Sequence, residues 1–242
     1  MASPLFSKIQ TGEAYYDNVD CASYKGVTAK TALLLVIAVL VAALVSFYLP
    51  KILLNNSTGF YVLLSISSIV GFVSVIVGRF SERLSKYFSV LYAVCEGLFL
   101  GALTAKIEAF YPGVATIAIF STFIIFGIML FLFGTGVIRI GSRFRSVLLA
   151  FTLGTIAITL FGFILNMFIN FTSYIGIVIG LEAFLLIYGA ITLTLHFAEA
   201  QHIVSRGASK DAEWSVALGL TVSLIYIYVE ALRLIALLAR RR

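Results

Sequence analysis

The sequence predicts an all-α integral membrane protein with seven transmembrane helices and a cytoplasmic N-terminus. Three observations carry this. Of 242 residues, 61% are hydrophobic and only 12% charged, where a soluble domain carries about 25% charged residues. The mean hydropathy is +1.08. Seven stretches each supply the roughly 20 apolar residues that a membrane helix needs.

A polar cytoplasmic arm comes first, residues 1–28, containing "SKIQTGEAYYDNVDCASYKG". It lacks the apolar core of a signal peptide, so the first hydrophobic segment is expected to stay in the mature protein. The predicted spans follow at about 31–49, 59–78, 87–105, 113–134, 145–168, 174–198 and 214–238, with the sixth free to run on helically to Val204. They leave no room for a soluble module, so residues 29–242 form a single domain. The breaks "PKILLNNSTG", "RFSERLSK", "KIEAFYPG", "IRIGSRFR", "NFTS" and "SRGASKDAE" separate them. Pro50 and Pro112 fall at span edges, where a missing N–H does no harm. Two small-xxx-small pairs, Gly97/Gly101 and Gly176/Gly180, have the spacing that lets membrane helices approach closely.

Lys and Arg in the loops set the orientation. Lys8, Lys25, Lys30, Arg79, Arg83, Lys86, Arg139, Arg143, Arg145, Arg206 and Lys210 share one side, which is therefore cytoplasmic. Seven full spans then put the tail "ARRR" outside; a re-entrant last segment would return it. The net charge of +6 is spread over short loops and forms no nucleic-acid-binding face. Cys21 and Cys95 are too few for a disulfide framework and lie in different settings, so they are not expected to pair.

Four carboxylates fall within or at the ends of spans: Glu96, Glu182, Glu199 and Glu230. Each costs about 2.5–3.5 kcal/mol at mid-membrane, so such residues persist when paired, protonated or lining water. Helical rise puts Glu230 roughly 24 Å above the inner end of its span and Glu182 roughly 27–33 Å above that of its own. Glu96 lies roughly 13 Å up and Glu199 within roughly 8 Å of the inner end. On straight helices Glu230 therefore faces the level of Glu182. Two adjacent carboxyls away from water share a proton and titrate as a unit. Once deprotonated they suit a hard cation such as Ca²⁺. The plainer alternatives are a local pair of Glu230 with Arg233, three residues on, and Glu199 reaching to the headgroups. His196, three residues before Glu199, can tune its proton. With only two histidines in the chain, a zinc site would lack ligands. No phosphate loop, HExxH, GxSxG or Ser/His/Asp constellation is present, so neither an enzyme nor a cofactor is expected. Trp214 suits an interfacial anchor.

"KGVTAKTALLL" entering span one, "CEGLFLG" in span three, "FAEAQHIV" ending span six and "EWSVALGL…IYIYVEALRLIALL" in span seven together resemble the Bax inhibitor-1 family, in its bacterial YccA-like branch of transmembrane BAX inhibitor motif proteins. The resemblance runs over nearly the whole chain from about residue 24. It implies a central last helix and a pH-sensitive calcium leak channel. It further implies a proton-sharing acidic pair, matched here by Glu199 in "EAQ" and by Glu230 behind Tyr228. Those two would then hold Ca²⁺ as the transported ion, with Tyr228, His196 and Arg233 as tuning groups. In the family an arginine of the second helix latches onto the pair. Span two, about 59–78, contains no basic residue, so a counter-charge would come from elsewhere, such as Arg233.

Two functions compete. One is a transport protein, a cation or calcium leak gated by protonation of buried carboxylates, with the lipid bilayer and Ca²⁺ as partners. The other is an interaction protein that regulates a membrane protease or another membrane protein in a stress response without transport, using the arm and "SRGASKDAE". A bacterial source would place it in the plasma (inner) membrane.

Overall fold

The structure is a computed structural model. It describes residues 21–137, 141, 144, 146–148, 150–155, 157 and 175–240, with the backbone alone for 49–61. The protein is all-α. Helix α1 runs Tyr24–Phe80, α2 Glu82–Phe110 and α3 Val114–Gly134. A short apolar α4, Ser146–Thr155, precedes α5, Ile175–Ser205, and α6, Ala212–Arg240.

Although α1 is helical over 57 residues, it is not one rod. The Ser67 hydroxyl donates to the Cys95 carbonyl at 3.1 Å, and Gly97 lies against Ala38 and Val41. A straight helix would hold Ala38 and Ser67 about 44 Å apart, yet both touch the same turn of α2. The two arms of α1, Tyr24–Tyr48 and Val62–Phe80, are therefore separate membrane spans, and the reversal falls between them. Counted this way there are seven helices among the described residues, six of them long and apolar enough to cross a membrane. Of the predicted fifth span, α4 and residue 157 are helical, and the rest of 145–168 lies outside the described residues.

Local chemistry sets the helix ends. The Ser23 hydroxyl accepts from the Gly26 amide at 3.0 Å and starts α1, within the stretch read as arm. Gly113, at φ 88, starts α3 just after Pro112. There the Glu108 carboxylate accepts from the amides of Gly113 at 2.5 Å and Ala115 at 3.0 Å. The sixth span does run on, to Ser205.

Helix α6 is the hub. It packs against α1, α2, α3 and α5. In its most apolar stretch 44% of residues are buried, against 6–39% in the other spans. Leu218, Ile225 and Val229 meet Leu34, Ala38 and Tyr92 on one side, and Leu220 and Ile227 meet Leu193 and Phe197 on another. The helix is continuous over 29 residues, about 43 Å, long and apolar enough to cross a membrane without the break that a re-entrant segment needs. Outward positions such as Val36, Phe47, Ile69, Phe72 and Phe123 are exposed and apolar, as lipid contact requires.

The glycine pairs behave differently. A β-carbon on Gly97 would sit 2.7 Å from the Ala38 carbonyl oxygen, and one on Gly101 2.6 Å from that of Ala42. This pair is a helix crossing. Gly176 and Gly180 face open space among the described residues. Both cysteines are free, Cys21 exposed and Cys95 buried.

Candidate functional site: buried carboxylates along the central helix

The acidic side chains occupy separate levels along α6. Lowest of the four acids singled out by sequence, near the end where α5 meets α6, is Glu199. Arg79 Nη2 donates to both its carboxylate oxygens, at 2.8 and 3.0 Å, and His196 Nδ1 lies 3.0 Å from Oε2. Arg79 Nη1 also donates to the Ser215 carbonyl at 3.1 Å, tying the cluster to α6. A β-carbon on Gly219 would lie 2.7 Å from His196 Nδ1 and 3.1 Å from Arg79 Nη1, so that glycine is what lets both side chains reach the α6 backbone.

Arg79 corrects the sequence expectation. The apolar run stops at Gly78, which put Arg79 in a loop and left span two without a cation. The helix continues to Phe80, so Arg79 sits in its last turn and holds Glu199. The counter-charge for Glu199 is Arg79, not Arg233.

Glu230 lies near the opposite end and is 3% exposed. Glu182, Arg233 and Tyr226 are the charged and polar side chains beside it. Arg233 Nη1 stands 3.7 Å from Glu230 Oε1, an ion pair too long for a hydrogen bond. Oε2 of Glu230 and Oε2 of Glu182 are both buried without a hydrogen-bond partner. Helical rise had set Glu230 level with Glu182, and the two do face each other. Tyr226 packs edge-on to Tyr188, ring centroids 6.4 Å apart.

Glu199 and Glu230 are not brought together. Glu182 and Glu199 are 17 residues apart on one helix, about 25 Å, so the levels they mark cannot share a metal ion. Among the described residues no group of three His, Cys, Asp or Glu side chains could hold one. Tyr228 points elsewhere too: its hydroxyl lies 2.9 Å from Thr104 Oγ1 on α2. Residues two apart on a helix do not share a face, so Tyr228 is not a neighbour of the Glu230 carboxyl. Glu96 is half-buried beside Tyr92 and joins neither cluster.

One buried carboxylate was missed. Glu213 is 1% exposed. It accepts from the Ser23 amide at 2.7 Å and the Ser23 hydroxyl at 3.3 Å, and pairs with Lys30 Nζ at 2.7 Å. Lys30 also donates to the Lys210 carbonyl at 2.9 Å and lies 5.0 Å over the Trp214 ring. Trp214 is thus a packing partner of Lys30. Glu213 read as loop; its position in the first turn of α6, where the helix dipole favours an anion, was the available signal.

The family model described as Bax inhibitor 1 like matches residues 3–240. The chain belongs to that family. No curated protein and no solved structure matches it. This Bax inhibitor 1 like protein is a multi-pass membrane protein. Among its buried acids, Glu213 pairs with Lys30 and Glu199 with Arg79, while Glu182 and Glu230 face each other with Arg233 as a loose counter-charge.

Proposed function

We propose that the protein is a pH-sensitive cation leak, with Ca²⁺ as the ion, in the plasma membrane of a bacterial cell. The supporting observation is the pair Glu182 and Glu230, facing each other around the central helix with an unpartnered oxygen each. Two carboxyls against one distant guanidinium leave a surplus negative charge when both are ionised. A shared proton or a hard cation satisfies it, and each displaces the other. Cation occupancy therefore falls as pH drops from 8 to 5. A cleft of about 390 Å³ reaches Glu182 from the nearer face. At the other end the Arg79–Glu199–His196 cluster and the Lys30–Glu213 pair would hold the path closed.

Ca²⁺ uptake into proteoliposomes between pH 5 and 8 tests this. Wild-type flux should change with pH, and Glu230→Gln and Glu182→Gln should each abolish the change. A folded wild type without flux would defeat the transport reading.

One observation favours a second reading, an interaction protein. The Ala22 amide donates to the Ala208 carbonyl at 2.8 Å, and Cys21 pairs with Ser209. Cys21 and Ala22, which lead out of the arm, therefore lie against the loop "SRGASKDAE". Deleting residues 2–20 should then abolish capture of a membrane-protease partner while leaving thermal stability unchanged. Capture that survives the deletion counts against this role.

A further inference from the structure

The cleft beside Glu182 also carries positive charge. It lies between the end of α2, the start of α5 and the end of α6, and Arg233 and Arg240 line it with Tyr111 and Phe110. The two arginines are seven residues apart, two turns, and so project from one face of α6. Arg233 is 43% exposed, and its only ion pair among the described residues is the 3.7 Å contact with Glu230, which leaves most of its five donors unspent there. Arg240 has no hydrogen-bond or ion-pair partner among the described residues.

Depth points to the ligand. From Glu213 to Arg233 is 20 residues, about 30 Å of helix and the thickness of a bilayer's hydrocarbon core. Arg240 stands about 10 Å farther out, within the headgroup layer. Phe110 and Tyr111 at the same mouth suit the aromatic belt of an interface. Arg is the side chain whose planar fork matches phosphate oxygens.

We propose that this cleft binds a phosphate-bearing anion, held by Arg233 and Arg240. The anion and Glu230 then compete for one guanidinium. Filling the cleft draws Arg233 away from the Glu182–Glu230 pair and uncovers its charge. That consequence rests on the transport reading; the binding site does not.

Binding to the purified full chain tests the site apart from any flux. Phosphatidylglycerol and phosphatidylcholine, each in mixed micelles, and inorganic phosphate in plain micelles are titrated while thermal unfolding is followed. Phosphatidylglycerol should raise the unfolding midpoint and phosphatidylcholine should not. Arg240→Gln and Arg233→Gln should each weaken the effect about tenfold, the loss of one charge-assisted contact. Arg240 is exposed at the helix end, so its replacement should leave the fold intact. Arg83→Gln, an exposed arginine on the opposite face, serves as the charge control and should change nothing. The same protection by inorganic phosphate alone would assign the site to a soluble anion; protection by the lipid only would assign it to a headgroup. Equal protection of wild type and Arg240→Gln, or an equal loss in Arg83→Gln, overturns the proposal.

Discussion

Glu213→Leu is expected to lower the thermal unfolding midpoint by roughly 6–12 °C, from a loss of about 3 kcal/mol. The carboxylate is 1% exposed; Oε1 accepts from the Ser23 amide and hydroxyl, and Oε2 forms the ion pair with Lys30 Nζ. Leucine keeps the volume and removes every acceptor. The Ser23 amide is then left unpaired, and Lys30 retains only the Lys210 carbonyl and the Trp214 ring. Removing one partner of a buried pair costs more than removing both. The double variant Lys30→Met/Glu213→Leu should therefore recover part of the loss. A double variant no better than Glu213→Leu alone would show that the lysine charge is not the cause. Gly26 belongs to the same contact, since a β-carbon there would collide with the Glu213 carboxylate.

Gly101→Leu should cost about 3 kcal/mol or more, because overpacking forces the neighbouring backbone to move. A β-carbon alone would lie 2.6 Å from the Ala42 carbonyl oxygen and 2.8 Å from Val45 Cβ. Relief would have to separate α2 from the first arm of α1, along the contact that also carries Gly97. The contrast is Gly180→Ala, where no atom lies within 4 Å of the new carbon. That change should be neutral or stabilising by about 0.5–1 kcal/mol through helix propensity. Comparable folded yields of Gly101→Leu and wild type in detergent would remove the close crossing as a determinant of the fold.

The sequence alone determined the spans and their order, because partition of a segment into lipid depends on the composition of that segment. It also singled out Glu230, since a carboxylate amid "IYIYVEALRL" is conspicuous by local composition, and helical rise matched its level to Glu182. Which acids acquire which cations was not local information. Arg79 was misplaced by the two residues by which the helix outruns its apolar stretch. Ser23 and Glu213 are 190 residues apart, and no periodicity links them. Two pairs with the same spacing, Gly97/Gly101 and Gly176/Gly180, diverged because among the described residues only the first faces a neighbouring backbone. The tertiary structure decided these points for one physical reason: a span's hydrophobicity fixes that it inserts, while its rotation and register against other helices fix which side chains meet.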